Sequence, residues 1–271
     1  MISCVHSHST FCDGDNTMAE MAKAAYELGI KHFGFSGHSY FPAEDFGMKP
    51  SVIPEYIATA NIIKELYLGK MDILCGIEVD ETIPEDYPLR EFDYKIGSSH
   101  AVKSKDGNYY MVDHSPKVFI EGIEKGFNND PLYYAEEYYK QLCNFVKRIK
   151  PDIVGHFDLL CKFNAGNKYF NEESKKYRDV ALNTVDELLK EDFVFEVNTG
   201  GMSRGYIDRP YPDTYLLKRI LEKNGRVIIT TDTHSVNTIE YYAKEAQELV
   251  KAIVFTSIWN LTNNGFIETK I

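Results

Sequence analysis

The chain has 271 residues, 44% of them hydrophobic and 26% charged, and a net charge of −11. That length permits one barrel of about 200–250 residues or two small domains, and the composition fits a soluble globular protein. The acidic balance argues against broad contact with a nucleic-acid backbone, which needs clustered Lys and Arg, and no apolar run approaches the ~20 residues of a membrane span.

Residues 2–5 read as a first strand. Thr17 then opens a helix through Leu28, with Thr17 and Glu20 spaced as a capping box and Gly29 as its stop. A strand is expected at 32–36, a helix at 55–67 ended by Gly69, and strands at 73–77 and 94–97. Helical spacing over 133–150, closed by Pro151, precedes a short strand at 153–154. A helix at 174–190, a strand at 193–197, a helix at 216–223, a strand at 227–230 and a helix at 239–252 follow. Stretches 39–50, 84–91 and 101–116 read as loops, and long loops in a compact domain tend to be functional. The tyrosines at 133, 134, 138 and 139 suit either an interface or a helix face packed on the fold.

Strands separated by helices imply βαβ units and a mainly parallel sheet. Seven such units without a Pro/Gly-rich linker favour one α/β barrel over residues 1–271. The N-terminus lacks a basic segment followed by an apolar stretch, so no secretory signal is expected. Five scattered cysteines without a CxxC pair make a disulfide framework unexpected and a cytoplasmic location the default. Cys12 and Cys161 lie near candidate ligands, where a thiol role competes with the favoured reading of a small buried hydrophobe.

The histidines and acids carry the chemistry through their register with the strands. His6 and His8 close the first strand, and alternate side chains of an extended segment point to one side. His38 follows the second strand, Glu78 the third and His100 the fourth; His156 ends the fifth, and Asp232 with His234 the last. In a parallel barrel these C-terminal ends converge on the face where active sites lie. A lone histidine after a strand is usually a capped or surface residue. Six of eight in one register, with only His32 and His114 apart, predict a ring of metal ligands. Imidazole and carboxylate without patterned thiolate suit Zn²⁺, Fe²⁺ or Mn²⁺ better than Ca²⁺ or Mg²⁺.

The segments H-S-H-S-T-F-C-D-G (from His6), G-F-S-G-H-S (from Gly34), G-I-E (from Gly76), G-S-S-H (from Gly97), G-H-F-D (from Gly155), E-V-N-T-G-G (from Glu196) and T-D-T-H-S (from Thr231) stand in this order. Together they resemble the polymerase and histidinol phosphatase (PHP) family, and within it the histidinol-phosphatase branch. The resemblance implies a distorted (β/α)7 TIM-like barrel with three divalent metal ions. It places His6, His8, Glu78 and Asp232 on the first, Asp13, His38 and His234 on the second, and His100 and His156 with a bridging Glu78 on the third. Relatives often carry His or Glu at the position of Asp13. The pattern after Glu196–Gly201 implies that Arg204 reaches the substrate phosphate, with Arg209 second. Where the family commonly has basic residues after Asp158, this chain has Cys161 and Lys162, and Lys162 offers a point charge rather than a fork.

The implied reaction is hydrolysis of L-histidinol phosphate to L-histidinol and phosphate, a step of histidine biosynthesis. Arg204 and Lys162 would serve catalysis at the phosphate, beside Asp232 and His234 at the metals. The alternatives are a PHP phosphoesterase for another small phosphomonoester or a nucleotide, and a non-catalytic metal-binding barrel. No membrane or nucleic-acid partner is expected, and the oligomeric state is not legible.

Overall fold

The computed structural model describes residues 3–42, 44–84 and 86–271. Ile2, which begins the first expected strand, lies outside them, as do Ala43 and Glu85 within the expected loops at 39–50 and 84–91. The chain runs through β1 (Ser3–Cys4), α1 (Met18–Glu27), β2 (His32–Phe35), α2 (Ile53–Leu66), β3 (Asp72–Val79) and β4 (Tyr94–Gly97). Among the described residues no α-helix separates β3 from β4, only a 3₁₀ turn at Leu89–Glu91. The expected loop at 101–116 holds a hairpin of β5 (Ala101–Lys103) and β6 (Tyr109–Met111), followed by α3 (Pro116–Glu121) and α4 (Pro131–Ile149). Then come β7 (Ile153–Val154), α5 (Lys175–Leu188), β8 (Val194–Asn198), the short α6 (Gly200–Ser203), α7 (Thr214–Glu222), β9 (Arg226–Thr230) and α8 (Ala243–Ala252). A hairpin of β10 (Ser257–Thr262) and β11 (Gly265–Lys270), absent from the sequence expectation, ends the fold.

Seven parallel strands form the expected barrel, in the order β1-β2-β3-β4-β7-β8-β9, and β10 and β11 extend the sheet beyond β9. The ring closes at its C-terminal end. There Ser7 pairs with Thr233, His8 N donates to Thr233 O at 2.8 Å and Thr233 N to His6 O at 3.1 Å. Further down, β10 stands between β9 and β1. It pairs with β9 at Ile228, and its Asn260 Oδ1 accepts from Ser3 Oγ at 3.0 Å. The inserted hairpin, and among the described residues the lack of a helix between β3 and β4, depart from regular (β/α) alternation.

Local chemistry sets the helix ends. Thr17 and Glu20 form the expected capping box on α1, and Gly29 takes φ 78° just past its end. Helix α4 starts at Pro131, two residues earlier than its apolar spacing suggests, because Asp130 accepts from the backbone N–H groups of Leu132 and Tyr133. Helix α8 starts late, since Tyr242 takes φ 60° in front of it. Tyr134, Tyr138 and Tyr139 are fully buried on α4, and the Tyr139 hydroxyl lies 2.8 Å from that of Tyr177 on α5. The tyrosine run is therefore largely packing surface within the fold.

Inside the barrel Val5, Leu74, Tyr94, Ile96, Ile153, Val194, Ile228 and Leu261 form an apolar layer. Tyr94 reaches across it to share its hydroxyl proton between the carbonyls of Val5 (2.5 Å) and Phe35 (3.0 Å). A Cβ on Gly34 or Gly76 would collide with the Tyr94 side chain, so both glycines make room for it. Glu78 and Glu196 lie two or four residues beyond members of this layer on the same strands. Strand periodicity aims them into the barrel mouth.

Candidate metal centre

His6 and His8 follow β1, His38 follows β2, His100 follows β4, His156 follows β7, and Asp232 with His234 follow β9. Glu78 is inside β3 rather than after it. The strand runs on because Glu78 N donates to Gly37 O (3.1 Å) and Ser39 N to Glu78 O (2.8 Å). Similar backbone bonds hold the other segments, so the ladder itself orients the side chains.

The structure brings all nine of these residues, Asp13 included, into one cluster. Glu78 is its hub. Its Oε2 lies 2.9 Å from His38 Nδ1, 3.2 Å from His6 Nε2 and 3.6 Å from His8 Nε2, and its Oε1 lies 2.9 Å from His156 Nε2 and 3.6 Å from His100 Nε2. Asp232 Oδ1 lies 3.2 Å from His8 Nε2 and 3.6 Å from both His6 Nε2 and His234 Nδ1. Asp13 faces His8, His38 and His234 at 3.3–3.6 Å.

Three sets have donor atoms close enough to hold one ion: His8, Asp13, His38 and His234; His6, His8 and Asp232; and His38, Glu78 and His100. His8 and His38 each belong to two sets, whereas the expected grouping gave each to one. His156 stands outside all three sets but touches Glu78. Residues on the deep side are nearly inaccessible, while the Asp13 and His234 side chains are 37% and 23% exposed. That side is the mouth.

The donor set fits metal ions. His6 Nε2, His8 Nε2 and Glu78 Oε2 are buried without a hydrogen-bond partner, an unfavourable arrangement that a cation would relieve. Electrostatics agree. Burial disfavours charge on Glu78 and Asp232, yet the surrounding histidines, and for Asp232 foremost Arg204, hold both carboxyls well below their usual range. Burial, reinforced by His234 and His38, pushes His8 down to about 3, leaving it neutral as a ligand must be. Asp232 also takes φ 48°, a left-handed backbone that a ligand segment holds at some strain.

Two acids that the sequence reading did not single out orient this ring. Glu196 Oε1 lies 2.5 Å from His6 Nδ1, and its Oε2 accepts from His156 N at 2.8 Å. Asp80 Oδ2 accepts from His100 N at 3.0 Å and lies 3.0 Å from its Nδ1. Such carboxylates fix which ring nitrogen faces inward. Their signal was present: Glu196 lies within β8 at the start of the E-V-N-T-G-G segment, and Asp80 two residues beyond Glu78. Cys12 Sγ lies 3.5 Å from His8 Nδ1, whereas Cys161 contacts Tyr177 at 3.0 Å, away from the cluster. All five cysteines are unpaired.

Arg204 belongs to the mouth. It donates from Nη2 to Asp232 Oδ2 at 2.9 Å, and its Nη1 lies 3.2 Å from His234 Nδ1. Lys162 lines a 210 Å³ pocket with Asp13, His38, Phe46, His100, Met111, Asp113 and His114. Arg209, expected as a second phosphate ligand, is placed differently. Asp158, Glu172 and Asp213 engage its guanidinium at 2.9, 3.0 and 3.1 Å, and neither it nor Arg204 lines this pocket. His114, set apart as a loop residue, is on the pocket wall, while His32 pairs with Asp72 at 2.8 Å at the start of β2. Among the described residues no helix is long and apolar enough to cross a membrane.

The PHP domain family profile matches residues 5–200. A Schizosaccharomyces pombe protein named "Probable histidinol-phosphatase" is 25% identical over 86% of this chain and 81% of its own. Histidinol-phosphatase of Bacillus subtilis is 24% identical over 87% of this chain and 94% of its own. Among solved structures, a Lactococcus lactis histidinol phosphate phosphatase complexed with zinc, L-histidinol and phosphate superposes with a TM-score of 0.69 at 19% identity, covering 98% of both chains. With well over half of its length matched by that profile, this chain belongs to the PHP family.

Proposed function

We propose that the protein is a metal-dependent histidinol-phosphatase that hydrolyses L-histidinol phosphate to L-histidinol and phosphate in histidine biosynthesis. The carrying observation is the nine-residue His/carboxylate cluster around Glu78, with Arg204 and Lys162 at its open side. The named relatives point to the same substrate, and zinc, L-histidinol and phosphate occupy the Lactococcus lactis structure.

Three divalent ions of the zinc, iron or manganese class fit the ring. Asp13, His38 and His234 with His8 would hold one, His6, His8 and Asp232 another, and Glu78 with His100 and the adjacent His156 a third. When bound, such ions polarise a phosphoryl oxygen and make water acidic enough to attack near neutral pH. The protein's own groups do the rest. Arg204 presents its fork beside Asp232, where it can hold nonbridging phosphoryl oxygens and stabilise their growing charge. Lys162, buried in the lining of the pocket that Asp13, His38 and His100 share, adds a second cation. Glu196 and Asp80 keep His6 and His100 oriented through the reaction.

Purified metal-loaded protein is expected to release phosphate from L-histidinol phosphate much faster than from p-nitrophenyl phosphate or nucleotides. Equal rates across that panel would remove the histidinol assignment and leave a general phosphoesterase. Activity that survives strong chelators, in protein with less than about one transition metal per chain, would remove the metal assignment. Arg204→Ala should weaken inhibition by inorganic phosphate by about 10–100-fold, with metal content largely kept.

A further inference from the structure

The pocket beside the cluster contains a carboxylate that the chemistry above does not use. Asp113 sits just after β6, on a segment tied to the centre because Val112 N donates to His100 O at 2.8 Å. It belongs to none of the metal-holding sets. Its side chain is 20% exposed and lines the pocket. Among the described residues its one cation partner is Lys162, whose Nζ donates to Asp113 O at 2.8 Å and lies 3.3 Å from its Oδ2. Lys162 is itself buried, with the Tyr206 ring 4.9 Å away, so its ammonium has little freedom to leave.

A phosphate that draws on Lys162 takes from Asp113 the cation that offsets its charge. An ester that also brings a cation restores that balance. The Asp113–Lys162 pair presents opposite charges side by side on one wall. A zwitterionic ester presents the reverse pair, its phosphate toward Lys162 and its ammonium toward Asp113. Two apolar side chains share the pocket lining: Phe46, whose ring stands edge-on to His38 at 4.9 Å, and Met111, against whose buried cluster Phe46 packs. They offer packing surface for a ring or an aliphatic stem.

Resting on the phosphatase reading, we infer that Asp113 is the specificity determinant of this site. It receives the ammonium of an amino-alcohol phosphomonoester, while Phe46 and Met111 pack against the alcohol's side chain. L-Histidinol phosphate fits this class, since its ammonium is borne on the carbon next to the ester carbon. Aryl phosphates carry no cation at that place.

The test compares kcat/KM of the metal-loaded protein for L-histidinol phosphate and for its des-amino analogue, imidazolylpropyl phosphate. The wild type should prefer the amino ester on the order of 10–100-fold, the worth of one charge-assisted contact. Asp113→Asn should shrink that ratio to within about threefold, with Asp113→Glu restoring part of it. An unchanged ratio in Asp113→Asn overturns the inference. Should that variant fail to fold, inhibition of the wild type decides. L-Histidinol should then inhibit p-nitrophenyl phosphate hydrolysis at least about tenfold more strongly than imidazolylpropanol, and equal inhibition overturns the inference. If the wild type spares L-histidinol phosphate yet cleaves other esters, the substrate assignment falls by itself. Asp113 is then judged on 2-aminoethyl phosphate against ethyl phosphate, and equal rates sink it. If no phosphoester is cleaved, both readings fall.

Discussion

The middle of the barrel and its mouth are built from the same strands and obey opposite rules. In the middle, Leu74, Ile96, Ile153, Val194 and Ile228 close around Tyr94, whose hydroxyl reaches two carbonyls. Two to four residues further along, buried imidazoles and carboxylates crowd together, several without partners. The first layer is satisfied and close-packed. The second is frustrated, and its frustration is what marks it as a place for cations. The lesson is that one strand delivers stability and chemistry in adjacent turns of its pleat, so damage to the two layers should be separable.

The sharpest way to break the comparison is at the mouth. Asp232→Ala, or His100→Ala, should abolish turnover, a loss beyond the ~10–100-fold expected of an outer orienting group. Metal analysis should show fewer ions per chain; full metal content with normal activity would contradict the assignment. The mirror experiment is Tyr94→Ala, which should cost about 3–5 kcal/mol in denaturant unfolding by opening a cavity in the middle layer. Metal stoichiometry of the surviving folded protein should hold, and a parallel loss of metal would show that the layers are not independent.

A smaller effect probes the seam between them. Glu196→Gln keeps the shape but weakens the grip on His6 Nδ1, and should cost about 10–100-fold in metal affinity or activity. Competition with a chelator measures it. Smallest is a pH effect in the metal-free protein. Burial opposes charge on His100, but Glu78 and Asp80 outweigh it and raise its pKa from 6.5 to about 10. Stability from the protonated ring is therefore fully present below pH 6.5 and lost as pH rises toward about 10. The denaturant midpoint should fall across that window without metal and stay flatter with it. Metal loading near pH 7 should release protons, readable in weakly buffered solution.

Much of this was legible in the residues. Seven strands and eight of the nine site residues follow from short apolar runs with a His or an acid near their ends, because strand ends in a parallel barrel must meet on one face, whereas Asp13 came only through the family resemblance. The capping box on α1 was equally local. What the chain order could not convey was how rings and carboxylates divide among sites. His8 and His38 each serve two donor sets because they lie between neighbours that are far apart in sequence. The sequence ranked Arg204 above Arg209, five residues on, without giving either its partners. One faces Asp232, whereas the other is held by Asp158, Glu172 and Asp213.

By itself, then, the sequence determined the class of fold and the kind of chemistry, since both rest on periodicity and residue type along single strands. Only the tertiary structure decided which charges are free to act. Asp113 and Lys162 stand 49 positions apart, and His114 beside them looked like an ordinary loop residue. They become one pocket wall because the hairpin of β5 and β6 folds back over the mouth, and pairing across such a distance is set by packing rather than by local sequence.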